Sequence, residues 1–315
     1  MGIWNVIKKR TILVIILSIA IITCSSISAQ SRAGKTSADF LTIGVGAKAA
    51  GMSSAYTAMS EGADAVYWNP AGLTSVDGSE IMLSHFDWYQ DVSLEHGTYA
   101  KKLNSSTAFA TSITYLNYGT IKRYGINGEP LANDISVYDW AGSVSLGFQV
   151  SDNLSVGFSA KYINQKIDDV SGSAFAGDIG FKFIAENYAV AGFIGNYGSK
   201  MKFDASEEKL PRTARLGFSF YPFSQNFVTS IEAEKKMEGN TIFHHGIEYN
   251  FNQQYYLRSG YNYYMNDSDR GIGENLSFGA GVQFQSASID YAFTTSDSFT
   301  KESLHRFSLN FKFGN

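Results

Sequence analysis

RFSLNFKF, residues Arg306 to Phe313, places Phe307, Leu309, Phe311 and Phe313 on one face and Arg306, Ser308, Asn310 and Lys312 on the other. Period-two alternation of this length indicates a strand with two chemically opposite faces. NLSFGAGVQF (275–284) and NLSVGFSAKY (153–162) repeat the pattern, with aromatic and aliphatic residues opposed to Ser, Gly, Gln and Lys. Working outward from these, strands are expected near 80–90, 93–103, 106–117, 138–150, 153–166, 173–184, 187–198, 212–222, 225–236, 240–251, 254–264, 274–284, 287–295 and 303–313. Lengths of about 9–11 residues suit tilted strands that cross a membrane.

The connections carry a second signal. After even-numbered strands they are short, as at 104–105, 151–152, 186–187, 224–226, 252–254 and 285–287; after odd-numbered strands several are long, at 118–137, 199–211, 265–273 and 296–302. Short turns at one rim and long loops at the other belong to an outer-membrane barrel. A soluble sandwich also alternates, but it would bury its aromatic face and has no reason to sort its loops. In lipid every backbone group must be paired, so the sheet must close on itself. The expected fold is all-β: a transmembrane antiparallel β-barrel of about 14 strands with a small N-terminal plug or hatch segment.

Composition agrees. Thirty Gly, 19 Tyr and 23 Phe against only 4 Pro suit unbroken ladders with close-packed small positions. Residues 1–29 read as a signal peptide: Lys8, Lys9 and Arg10 precede the apolar run Thr11 to Thr23, and small residues follow, ending at Ala29. The rival reading makes Cys24 a lipidated cysteine, yet Thr23 stands where Gly or Ala is expected. Removing that leader takes away three positive charges and the sole cysteine, moving the formal net charge from −4 to −7. A nucleic-acid partner and thiol chemistry are thereby disfavoured. The remainder divides into a plug segment, 30–79, and a barrel, 80–315.

Residues Lys35 to Leu73 do not alternate and are dense in Gly, Ala and Ser. AKAAGMSSAYTAMS (47–60) is expected to form a short helix with small faces, followed by the turn Trp68-Asn69-Pro70-Ala71-Gly72. Pro fixes its own φ and restricts the residue before it, so this is a corner. A small-residue segment ahead of the first strand fits a barrel lumen as a plug.

From Ser37 to Leu73, SADFLTIGVGAKAAGMSSAYTAMSEGADAVYWNPAGL resembles the N-terminal signature of the PorV/PorQ family, which is related to the FadL-type outer-membrane transporters. The resemblance rests on Phe40-Leu41, Ile43-Gly44, the run Gly46 to Ala49, Gly51-Met52, the stretch Glu61 to Asp64 and Trp68 to Gly72. It implies a fourteen-stranded outer-membrane barrel with the N-terminal segment folded into its lumen. Some family members serve type IX secretion, binding the translocon or carrying cargo to a surface sortase.

His244 and His245 are adjacent, so on a strand they face opposite sides and cannot share one ion; His85, His96 and His305 are isolated. NDSDRGIGE (266–274) reads as a solvated loop rather than a calcium site, and GVGAKAAG (44–51) lacks the preceding strand and the Lys-Ser pair of a phosphate loop. No metal and no cofactor is expected. Neither a Gly-x-Ser-x-Gly elbow nor a His-Glu-x-x-His helix is present, so the reading is a non-enzyme.

Alternation also predicts a polar cluster on the lumen face: Arg215, Glu232, Glu234, His244, Glu248 and Arg258, joined by Lys161, Asp178, Asn262, Asp290, Arg306 and Lys312. The plain role for such a cluster is mutual charge compensation against a plug. The leading functional expectation is an accessory of protein secretion whose partners are membrane lipid and a translocon, sortase or cargo protein. The alternative is a FadL-like channel for small hydrophobic molecules, which needs an apolar pocket and a lateral gap.

Overall fold

The computed structural model describes residues 36–88, 91–204, 206–265, 275–295 and 303–314. The leader and the loop 266–274 lie outside them. Fourteen strands build the wall: β1 (Ser79–Asp87), β2 (Ser93–Lys102), β3 (Thr107–Asn117), β4 (Val137–Ser151), β5 (Leu154–Ile167), β6 (Val170–Ile184), β7 (Tyr188–Gly198), β8 (Thr213–Phe220), β9 (Phe227–Lys236), β10 (Thr241–Phe251), β11 (Tyr255–Tyr264), β12 (Leu276–Phe284), β13 (Ala287–Thr294) and β14 (Leu304–Phe313). Every strand pairs antiparallel with its chain neighbour, and β14 returns to β1 through pairs such as Leu83 with Leu309, so the sheet closes and has no edge. Two further pieces, Met201–Lys202 and Glu207–Glu208, pair inside the β7–β8 loop. The long β3–β4 loop is stitched by single bridges, Ile121 with Ile135 and Tyr124 with Pro130.

Burial is inverted relative to a water-soluble protein. On β14, Phe307, Phe311 and Phe313 are 47%, 43% and 45% exposed while Ser308 is 7% exposed. The same holds around the wall, where Ile113, Phe158, Ile179, Ile231, Leu257 and Phe278 point outward. A sandwich would put those side chains inside, so the outward apolar band excludes it. Charges on this band would cost about 2–4 kcal/mol each near the bilayer midplane, which is why the charged residues are turned inward.

Residues Thr36 to Asp77 fill the interior. They contain only short helical turns: Asp39–Thr42, Ala47–Gly51, Gly62–Asp64, Ala65–Trp68 and Pro70–Ser75. The helix expected over 47–60 therefore stops at Gly51. Ser53 and Ser54 take left-handed backbone angles, φ 50° and 68°, and turn the chain away. The reason is the wall: the Met52 backbone lies against Gly246 and Gly260 on neighbouring strands, where a Cβ on either glycine would overlap it. Tertiary contact overrides local propensity here.

The plug and lumen as candidate functional site

A segment with so little regular structure leaves many backbone groups without local partners, and buried ones must be paired. Wall side chains do this. The Glu232 carboxylate accepts from the N–H groups of Tyr56 and Thr57 at 3.1 and 2.7 Å. Glu80 accepts from the Ala63 N–H at 3.0 Å, Ser308 from Ala47 at 2.7 Å and Gln165 from Ala38 at 2.8 Å. Lys182 donates to the Ser60 carbonyl at 2.7 Å. These anchors come from β1, β5, β6, β9 and β14, so the plug is held from all round the barrel.

The Trp68–Gly72 corner sits on the inner face of β4, β5 and β6. Asn69 caps the turn that starts at Pro70, its carbonyl accepting from the Ala71 N–H at 3.1 Å. The amide of the same side chain donates to the Phe181 carbonyl of β6 at 3.0 Å. Room for it comes from Gly180, where a Cβ would collide with the Asn69 amide, and from Gly157, where one would collide with the Pro70–Ala71 backbone. Trp68 is 1% exposed; its indole N–H donates to the Val45 carbonyl at 3.0 Å, and Tyr56 and Tyr67 pack on it edge-to-face.

All six residues of the lumen cluster are buried, Glu248 being the most exposed at 8%. They form two groups. In the first, Arg215 lies 3.4 Å from Glu234 and 3.9 Å from Glu232, and His244 Nε2 lies 3.4 Å from Glu234. His244 Nδ1–H donates to the Ser53 carbonyl at 2.8 Å, tying this group to the plug. In the second, Arg258 bridges Glu248 and Asp290, and Lys48 of the plug pairs with Glu61 at 2.8 Å nearby. His245 faces outward to Thr229. No cluster of three or more metal-ligating side chains occurs among the described residues.

The two motif sets meet face to face. The Arg215 guanidinium stands over the plug residues Trp68 at 4.8 Å and Tyr67 at 5.4 Å, and over Phe193 of β7 at 5.3 Å, so the wall cation is held between plug and wall aromatics. Such a contact is worth about 2 kcal/mol when desolvated.

Tyr56, Glu80 and Lys182 carry no functional signal in the sequence, and Lys48 and Asp64 stand there only within the family signature. Plug residues obey no period that marks a face, but the inward glycines, at even steps along strands, were a usable signal of close backbone approach. Burial pushes the Asp64 carboxyl up to about 6, against the opposing pull of Lys48. The wall itself is continuous. Its β6–β7 pairing shifts register between Gly177 and Ile179, and Asp178 closes the defect by pairing with Lys161 at 2.7 Å and accepting from the Asn196 N–H at 2.9 Å. Among the described residues the interior holds a small cavity of about 30 Å³ beside Phe40, Tyr67 and His96, and a polar chamber of about 170 Å³ between Lys48, Asp64, Glu80 and Arg258 at the short-turn mouth.

A closed fourteen-stranded barrel with an apolar outer band and its N-terminal segment inside has the fold of the FadL-like outer-membrane barrels. The model of one family, the type IX secretion system protein PorV, matches residues 26–237, and the chain belongs to the PorV family. It is thus an outer-membrane protein, of a family and fold that are not those of enzymes. Among solved structures it resembles the CymD monoaromatic hydrocarbon channel (TM-score 0.64, 14% identity, 87% of this chain and 98% of that one). A toluene transporter of Ralstonia pickettii, TbuX, is similar too (0.58, 13%, 84% and 98%), as is a Pseudomonas aeruginosa FadL homologue (0.57, 12%, 85% and 98%). Identities this low speak for the fold alone. No curated protein matches the chain.

Proposed function

We propose that this barrel is an accessory of type IX-like protein secretion, with a structural plug and with binding done by the rim loops and plug. Translocon, sortase or cargo proteins are the partners of that reading. The observation that carries it is the occupied lumen: charged wall residues bind plug backbone on every side, and the cavities left over are small or polar. The 118–136 loop at the long-loop rim adds support, since Ile126, Tyr124 and Leu131 expose apolar surface there, with Ile126 fully exposed. Exposed apolar clusters of this kind suit protein contact. The test is a pull-down of the tagged barrel from detergent-solubilised outer membranes. Recovery of a secretion component supports the reading, and recovery of the barrel alone counts strongly against it.

A channel for small hydrophobic molecules is the second reading, favoured by the fold shared with the hydrocarbon channels. It requires the plug to leave its anchors, because among the described residues the chamber beside Phe40 is too small and the one beside Lys48 too polar for such a ligand. Uptake of a small aromatic hydrocarbon by cells making the wild-type barrel, absent without it, would support this alternative.

A further inference from the structure

The lipid-facing wall has a dent that the fold does not require. Gly97 of β2 points outward between Leu83 of β1 and Ile113 of β3, its two cross-strand partners. Its backbone is not left-handed, and a Cβ built there meets only Leu83 at 3.5 Å and Ile113 at 3.9 Å, both ordinary contacts. Two other outward glycines, Gly142 and Gly192, differ, since Trp140 and Phe181 respectively lie over them, while Gly177 meets only backbone oxygens. At Gly97 nothing among the described residues covers the gap. The result is a groove of about 410 Å³ with Leu83, Ile113, Tyr115, Phe307 and Leu309 as its apolar sides.

One pair-step toward the long-loop rim the chemistry changes. His85 Nδ1 lies 2.6 Å from Glu95, and its Nε2 lies 2.9 Å from Asp87. Long loops mark the outer surface, so this trio stands at the outer interface, directly above the groove. Two carboxylates against one imidazole leave it net acidic whether or not the imidazole is protonated. An apolar slot in the outer leaflet topped by excess negative charge complements an alkyl chain that carries an ammonium head. An acyl chain seated in the dent gains dispersion contacts with Leu83, Ile113 and Phe307 that a flat wall would not give it.

We propose that the Gly97 groove is a binding site for one membrane lipid, with an acyl chain against Gly97 and an ammonium-bearing headgroup on Glu95 and Asp87. Native mass spectrometry of the detergent-released full barrel tests this, titrated with phosphatidylethanolamine or phosphatidylglycerol of the same chains. Wild type should retain one phosphatidylethanolamine at a concentration about tenfold below that needed for phosphatidylglycerol. Glu95→Gln should remove the headgroup preference while keeping a lipid, and Gly97→Leu should lose the retained lipid. Glu95→Gln leaves the packing intact, so its arm stands even where Gly97→Leu lowers the folded yield. Equal retention of the two lipids by wild type, retention unchanged in Gly97→Leu, or a co-purified protein seated on this face would overturn the proposal.

Discussion

The guanidinium of Arg215, on strand β8, is stacked 4.8 Å from the indole of Trp68, in the plug. That contact makes one unit of the plug corner and the buried charges behind it. Arg215 offsets Glu232 and Glu234, Glu232 holds the Tyr56 and Thr57 N–H groups, and His244 reaches the Ser53 carbonyl. Replacing Arg215 by Met leaves two buried carboxylates with only His244 between them. Removing one partner from such a group costs about 3–5 kcal/mol. Faster hydrogen exchange across residues 36–78, with the wall strands still protected, is the expected result.

Asn69 acts twice, as the cap of its turn and as a donor to the Phe181 carbonyl. Asn69→Ala should therefore weaken plug docking by about 1–2 kcal/mol, a cap plus one net hydrogen bond. Pro70→Ala should act in the same direction and more weakly, by freeing the corner. Both should raise permeability to large antibiotics while the barrel keeps its heat-modifiable migration on gels. Unchanged permeability and partner binding in both would reduce the stretch to an ordinary turn.

Gly157 offers a sharper steric test. Its absent Cβ would overlap the Pro70–Ala71 backbone, which has no flexible end to move aside. Gly157→Val should displace the corner outright, giving protease cleavage within the plug. Gly97→Val, on the outward face, should leave cleavage at the wild-type level.

Asp64 sets a pH dependence. Its carboxyl is raised from 3.8 to about 6 by burial. A raised acid favours the proton-bound folded form, so plug stability should fall as pH rises from about 4 to about 6 and stay low above that. The full penalty is at most about 3 kcal/mol. Asp64→Asn should flatten this slope and stabilise the plug at pH 7, as read by hydrogen exchange at pH 5 and 7.

The wall was legible in the sequence because lipid and lumen impose opposite chemistry on alternate residues. Phe307 and Ser308 sort themselves by that rule, as do Phe243 and His244, and the fourteen segments follow from it. The plug was legible as composition, as the Asn69-Pro70 corner and through its family signature, but not as a path. Its path is set by pairing with the wall, such as Tyr56 with Glu232 and Met52 with Gly246 and Gly260, contacts made across 176 to 208 positions of chain. No local period encodes these contacts, and so the helix expected over 47–60 ended at Gly51. The pairing of Lys48 with Glu61 and the burial of Asp64 were hidden for the same reason.

Closure of the lumen by the plug, held there by the Trp68–Arg215 unit, is open to an electrical test. Conductance of the purified barrel in a planar lipid bilayer tests it most directly. Wild type should be electrically silent, with openings appearing in Arg215→Met and Asn69→Ala. Steady conductance by the wild-type barrel, unchanged by either substitution, would contradict the claim.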